Sequence, residues 1–293
     1  MNQEKVASFS KRLIRESKEK NKNGKICILT DVDGTIIKEA SVKFDNTFIY
    51  AVQRIKERLQ NNFLFIANTG RTPKDVMHTI KQSKPSINFF SKILGNNGAT
   101  SEYANYRLNN KAKKRIIKKF LSLGGKIEDI RFVSKDDTFI NDDVESIAYY
   151  QRKQLPNVKT RNIVNDLNKM DIAKITLTGD EKIINKLMKF INRRNKDFKC
   201  ALSPGNSKYR IPSGGKTTRR LDITPEGCNK GAIAKEVAQK EGTPCFMVMG
   251  NDENDIPMFK AAIDTKGYIV LVENDNLKTT EKIRKIIETY SKR

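Results

Sequence analysis

The apolar positions of this chain follow two rhythms. Through Ile26-Cys27-Ile28-Leu29 and Phe63-Leu64-Phe65-Ile66-Ala67 they run unbroken and then stop abruptly at polar groups. Short, continuous apolar runs rich in β-branched and aromatic residues predict strands buried on both faces of a parallel sheet. Between the runs, apolar residues recur every three or four positions. Ile49, Val52, Ile55 and Leu59 make one helical stripe behind the capping run Asp45-Asn46-Thr47. A second helix opens at Thr72-Pro73, with Pro in the first helical position and Asp75 in the first turn. Ile93-Leu94 is a short third strand. Strand, helix, strand, helix, strand predicts an α/β, doubly wound, mostly parallel sheet.

The pattern changes near Tyr103. Strand-like pieces near 103–108, 129–133, 145–150, 172–178, 198–203, 207–212 and 217–223 are interrupted by basic helices near 111–122, 160–169 and 181–194. That order predicts a smaller α+β domain inserted at 103–223 between two parts of the core, 1–102 and 224–293. From Asn229 the α/β rhythm returns, with a helix over 230–241, a strand from Cys245 to Met249, a helix through Met258, a strand from Tyr268 to Val272 and a terminal amphipathic helix. Ahead of the first strand, Val6, Phe9, Leu13 and Ile14 predict an amphipathic helix packed on the body.

A length of 293 residues accommodates one large domain or two moderate ones. No run approaches the ~18 apolar residues of a membrane span. The N-terminal stretch lacks an apolar signal core, and Glu4 and Glu16 argue against a transit peptide. Cys27, Cys200, Cys228 and Cys245 form no C-x-x-C pair, so free thiols in a reducing, cytoplasmic setting are expected. Lys plus Arg number 57 against 34 Asp plus Glu, a formal charge of +23. Such a surface attracts nucleic acid, anionic lipid or anionic metabolites. The lysines are nonetheless dispersed, without interleaved aromatic stacking platforms.

Chemistry concentrates where strands end. Asp31 and Asp33 close the first strand, two positions apart and so on one face, where their charges repel unless a cation offsets them. Mg2+, which favours few carboxylates plus substrate phosphate, would do so. Thr69 closes the second strand, and Asp252 and Asp255 follow the strand ending at Met249. Ligands bind beyond the carboxyl ends of such strands, so these groups converge if the strands are neighbours. Lys230 lies in the first turn of its helix, where a cation opposes the macrodipole and a bound anion would reverse the penalty. His78 is the only histidine, which leaves the chemistry to carboxylates.

Four motifs carry a resemblance: Asp31-Val32-Asp33-Gly34-Thr35, Thr69-Gly70-Arg71, Lys230-Gly231 and Gly250-Asn251-Asp252-Glu253-Asn254-Asp255-Ile256-Pro257-Met258, with Asn97-Gly98-Ala99 after the third strand. Over residues 24–102 and 224–293 the chain resembles the haloacid dehalogenase-like hydrolases, in particular the Cof-type, subclass IIB phosphatases with a large α/β cap. The resemblance implies a Rossmann-like core with an inserted α+β cap, and a Mg2+-dependent phosphatase acting on a small anionic phosphomonoester, a sugar phosphate or related metabolite. It makes Asp31 the nucleophile that forms an aspartyl-phosphate and Asp33 the general acid and then base. Thr69, Gly70, Lys230 and Asn254 would bind phosphate. Asp31, the backbone carbonyl of Asp33, Asn251, Asp252 and Asp255 would serve the metal, Asp255 either as ligand or as outer partner. Arg71, Asn97, Arg210 and Arg219 would contact the rest of the substrate, Arg210 and Arg219 alongside Lys208, Lys216 and Arg220 as a basic set suited to a second anionic group.

One position departs from the family pattern. An Asp usually follows the Gly of the fourth motif, whereas here Asn251 follows it and Asp252 comes next. Either residue could then supply the oxygen. A phosphomutase or phosphotransferase of the same superfamily, and a nucleic-acid-binding or end-processing phosphatase suggested by the charge, are the alternative functions. No membrane partner is expected.

Overall fold

A computed structural model describes residues 15–16, 19–21, 24–37, 43–83, 89–102, 106–141, 158–160, 166–194, 198–203, 218–273 and 277–291. It divides into two compact units, one of residues 1–69, 79–94 and 230–293 and the other of 70–78 and 95–229.

The first unit is built on a five-stranded parallel sheet. Its strands are β1 (Ile26–Thr30), β2 (Phe63–Asn68), β3 (Lys92–Leu94), β10 (Met247–Gly250) and β11 (Tyr268–Leu271), in the order β11-β10-β1-β2-β3. β1 pairs with β2 on one side and β10 on the other, both parallel. From β1 the chain first winds outward through β2 and β3, then later through β10 and β11. The reversal places a topological switch point between β1 and β10, where the loops leaving the strand ends part and open a crevice.

The apolar runs form these strands because both faces are covered: Leu29 and Ile66 are wholly buried. Helix α1 (Asn46–Leu59) starts where Asp45 Oδ1 accepts a hydrogen bond from the Phe48 amide at 3.1 Å. It packs near an aromatic cluster in which Phe65 stacks on Phe90, centroids 5.2 Å apart, and Phe89 meets Phe44 edge-on at 4.9 Å. Helices α5 (Lys230–Lys240), α6 (Ile256–Asp264) and α7 (Leu277–Ser291) complete the later α/β run. Helix α2 (Pro73–Ser83) begins as expected, with Thr72 Oγ1 accepting from the Asp75 amide at 3.1 Å.

The second unit carries a six-stranded mixed sheet, β6-β5-β4-β7-β9-β8, from β4 (Ile130–Val133), β5 (Thr138–Ile140), β6 (Val158–Thr160), β7 (Lys174–Asp180), β8 (Phe198–Ser203) and β9 (Thr218–Pro225). Helices α3 (Asn110–Ser122) and α4 (Glu181–Arg194) belong to it. Ile175 and Leu177 of β7 and Leu221 and Ile223 of β9 share a core with Ile116, Phe120, Ile184 and Leu187 of these helices. The alternate positions of the same strands are polar: Lys174, Thr176 and Thr178 on β7, Arg220, Asp222 and Thr224 on β9.

Several sequence expectations are corrected. Residues 106–108 are not a strand; Leu108 donates one backbone bond to Ile172 at 2.8 Å without continuing a ladder. Residues 166–169, expected to end a helix, form a turn. Strands β5 and β6 were not anticipated, being three residues each and too short for a periodicity to register. The expected strands at 145–150 and 207–212, Arg210 with Lys208 and Lys216, and the apolar stripe Val6, Phe9, Leu13 and Ile14 lie outside the described residues. All four cysteines are free thiols, with Cys27, Cys228 and Cys245 buried. Among the described residues no helix is long and apolar enough to cross a membrane.

Candidate active site

At the switch point of the first unit, the Asp31 amide donates to the carbonyl of Met249 at 2.9 Å, extending the β1–β10 pairing one residue past the strand. The chain then turns tightly. The amides of Ile36 and Ile37 both donate to the Val32 carbonyl, at 3.1 and 3.0 Å, and the Gly34 amide donates to Ile37 at 2.8 Å. Gly34 has φ +74°, open to glycine and costly for other residues, so the turn after Asp33 requires it.

Lys230 joins the separate strand ends. Its Nζ is 2.7 Å from Asp31 Oδ1 and 2.6 Å from Asp255 Oδ1, and its side chain is 1% exposed. The lysine sits at the first position of α5, where Asn68, the last residue of β2, donates from Nδ2 to the Lys230 carbonyl at 2.8 Å. Gly231 follows because α6 passes close: a Cβ there would collide with the carbonyl of Pro257. That approach brings Asp255, just ahead of α6, to the lysine.

Asp255 is wholly buried and fully engaged. Its Oδ1 takes the Lys230 ammonium and its Oδ2 accepts from the amides of Asn251 at 2.9 Å and Asp252 at 3.1 Å. Asp252 caps the short turn that follows, its Oδ1 accepting from the Glu253 amide at 2.7 Å. Thr35 Oγ1 donates to Asn251 Oδ1 at 3.0 Å, which ties the turn after Asp33 to the loop after β10. Asn254 holds a buried Oδ1 without a hydrogen-bond partner.

The electrostatics are those of crowded carboxylates. Burial pushes the Asp31 carboxyl up; Lys230 pulls it down, while Asp255 and Asp33 push it up again. Burial likewise raises Asp252, to about 7, with Asp255 adding to the rise. Burial alone would lower Lys230, but Asp255 and Asp31 hold it above the ordinary lysine range. The donors here are hard oxygens from carboxylates and an amide, the chemistry a divalent cation takes, and the fold disfavours the charge on Asp31 and Asp252. Among the described residues no three carboxylates stand grouped as a metal site.

The first unit thus brings Asp31, Lys230, Asp255, Asn251 and Asp252 together, with Asp33 close enough to act on Asp31. Thr69, buried, follows β2 at the same carboxyl edge, its amide donating to the Leu94 carbonyl at 2.9 Å. Gly70, Arg71, Asn97 and Arg219 belong to the second unit. There Arg71 accepts at its carbonyl from the Asn96 amide at 2.8 Å, and Arg219 is ion-paired with Glu181 at 2.5 Å. Sequence reasoning passed over Asn68 and Thr35 as site residues. A polar residue closing a buried strand was the available signal for Asn68, whereas nothing in the sequence shows that Thr35 reaches Asn251, 216 positions away.

The chain belongs to the haloacid dehalogenase-like hydrolases: that family's model matches residues 28–292. The fold is shared with a haloacid dehalogenase-like hydrolase from B. subtilis, at TM-score 0.65 and 14% identity over 88% of this chain and 99% of that one. It is shared also with the subclass IIB sugar phosphatase BT4131, at TM-score 0.63 and 15% identity over 89% of this chain and 99% of that one. Among curated proteins, the trehalose-phosphate synthase [UDP-forming] B of Dictyostelium discoideum is 32% identical over 73 residues, which are 25% of this chain and 9% of that protein. This match spans less than a tenth of the curated relative's length.

Proposed function

We propose that this chain is a Mg2+-dependent phosphatase that hydrolyses a small phosphomonoester, a sugar phosphate or related metabolite, through an aspartyl-phosphate. The observation that carries the reading is the Asp31–Lys230–Asp255 chain of contacts at the switch point. The likeness to a sugar phosphatase and the segment shared with a trehalose-phosphate enzyme favour sugar phosphates.

In this reading Lys230, held by Asp255, orients the Asp31 carboxylate for attack on phosphorus and shares the charge of the phosphoryl oxygens with Thr69. Asp33 protonates the departing alcohol and then takes a proton from the water that cleaves the acyl-phosphate at Asp31, so one difficult hydrolysis becomes two easier steps. Asp31, the Asp33 carbonyl and Asn251 or Asp252 would hold Mg2+, with Asn254 available to metal or phosphate. The ion would offset repulsion between the carboxylates and an incoming phosphate. Asp255 would hold Lys230 and the 251–252 peptides through the bonds its two oxygens make, as an outer partner of the metal or, through a remaining lone pair, as a ligand. Gly70, joined to Thr69 by its peptide, completes the phosphate set. Arg71 and Asn97 are the substrate contacts proposed on the second unit, which acts as the cap, with residues 103–223 as its inserted segment. The free thiols suit a cytoplasmic setting.

A panel of phosphomonoesters assayed with and without Mg2+ tests the proposal, with Asp31→Asn as control. The panel includes sugar phosphates and a 5′-phosphorylated oligonucleotide, because the charge of +23 favours nucleic acid as the rival substrate. Mg2+-dependent release of phosphate that Asp31→Asn abolishes supports it. Full activity in Asp31→Asn removes the covalent mechanism.

A further inference from the structure

The second unit buries a charged network away from its apolar core. Asp222 of β9 is the hub. Its Oδ1 accepts from Thr176 Oγ1 at 2.7 Å and from Arg220 Nε at 3.1 Å, and its Oδ2 accepts from Arg220 Nη2 at 3.0 Å and from Asn97 Nδ2 at 3.2 Å. Lys174, the first residue of β7, has its Nζ 3.7 Å from Asp222 Oδ2 and donates to the carbonyl of Gly70 at 2.5 Å, its side chain 3% exposed. A Cβ on Gly70 would stand 3.2 Å from Asn97 Oδ1, so the Asn97 side chain lies across the Gly70 Cα. The next carbonyl, that of Arg71, is held by the Asn96 amide.

Burying an ammonium and a carboxylate costs desolvation on each, so such a pair is a weak source of stability. The same unit shows what a structural buried lysine does. Lys113 Nζ donates to the carbonyls of Leu167 and Met170, at 2.8 and 2.6 Å, and closes the 166–169 turn. Lys174 ends instead on Gly70, and its partner Asp222 ends on Asn97. A peptide is planar, so fixing the Gly70 carbonyl oxygen also fixes the direction of the Arg71 N–H on its far side. Neither Lys174 nor Asp222 belongs to a motif that drew attention in the sequence.

We propose that Lys174 and Asp222 are positioning residues for substrate binding: Lys174 fixes the Gly70–Arg71 peptide beside the phosphoryl group, and Asp222 fixes the Asn97 amide that contacts the rest of the substrate. The proposal rests on the phosphatase reading above. Burial holds the Lys174 ammonium down to about 8, and the charged groups facing it are Asp222 and Arg220 from β9 and Asp75 from α2. Loss of its proton weakens the grip on Gly70 in the mildly alkaline range.

The test uses the full chain with p-nitrophenyl phosphate and Mg2+, comparing wild type, Lys174→Met, Lys174→Arg and the control Lys113→Met. At a temperature where circular dichroism shows all to be folded, kcat/KM for Lys174→Met falls on the order of 10²-fold, because a small misplacement of a binding group suffices for that. Lys174→Arg recovers most of the loss, and Lys113→Met stays close to wild type. Should Lys174→Met not fold, the pH profile decides: wild type loses kcat/KM above about pH 8, and Lys174→Arg moves that limb upward. Lys174→Met matching Lys113→Met, or an unmoved alkaline limb in Lys174→Arg, overturns the positioning role and leaves the phosphatase reading intact. A wild type inactive on p-nitrophenyl phosphate and on the whole panel overturns the phosphatase reading, and this proposal with it.

Discussion

Lys230 and Asp255 meet at 2.6 Å, and each is in place because of a neighbour with no chemistry of its own. Gly231 lets α6 approach α5, and Gly250 leaves room where a Cβ would crowd the Asp255 carboxylate at 2.6 Å. The glycines of the Lys-Gly pair and before Asn251 therefore have a packing reason.

Lys230→Met leaves Asp31 and Asp255 buried with no cation between them. Breaking a buried pair by removing one partner costs about 3–5 kcal/mol. We expect a loss of that size in urea unfolding, and a fall in kcat of about 10³-fold or more, as for removal of a transition-state donor. Asp31→Asn removes activity too but relieves carboxylate crowding, so its unfolding free energy falls far less. Equal destabilisation by the two variants would contradict the charge arrangement.

Gly231→Ala forces a methyl group against the Pro257 carbonyl. Overpacking of this kind costs about 1–3 kcal/mol. The backbone shift separates α5 from α6, so Asp255 draws away from Lys230 and kcat falls with the melting temperature. Ala232→Gly, one residue along the helix, lowers stability by only about 1 kcal/mol through propensity, and its kcat stays near wild type.

Asn251 puts a neutral amide oxygen where a carboxylate is usual. Asn251→Asp adds a charge at a hard-oxygen site and tightens Mg2+ by on the order of tenfold, read by isothermal titration calorimetry without substrate. On the proposed reading one of the two residues supplies the ligand, so Asn251→Ala and Asp252→Ala are expected to differ in their Mg2+ requirement. Unchanged Mg2+ affinity in all three variants would remove the metal role of this loop.

Stability against pH follows from Lys174. Its folded pKa, near 8, lies below the ordinary lysine value of 10.5, so the folded state gives up the proton first as pH rises. Between those values the unfolded chain binds more protons, and stability rises with pH across that window by up to about 3 kcal/mol from this group. Below pH 8 the contribution is constant and unfavourable. Denaturant unfolding at pH 8 and pH 10 should show the rise in wild type and a flatter profile in Lys174→Met.

Much of the first unit was legible in the chain. Buried parallel strands read as continuous apolar runs, and β1, β2 and the helices around them lie close to where periodicity put them, since local pattern and global packing agree there. The second unit read less well. Its short strands β5 and β6 carry no period of their own; β5 pairs on the edge of β4, and β6 pairs in turn on the edge of β5. Arg219, singled out for its charge, turned out to be ion-paired with Glu181, while Lys174, inside the expected strand near 172–178, drew no attention.

By itself the amino-acid order determined which residues stand at strand ends, because a polar group that halts an apolar run is a local feature. It also left carboxylates rather than histidine as the candidates for the chemistry, since His78 is the only histidine. Only the tertiary structure decided who holds whom. The pairing of β1 with β10 sets residues over 200 positions apart side by side, so Lys230 reaches both Asp31 and Asp255, and Asp255 holds the loop instead of standing open. Such contacts depend on the order of strands in the sheet, which no window of sequence contains.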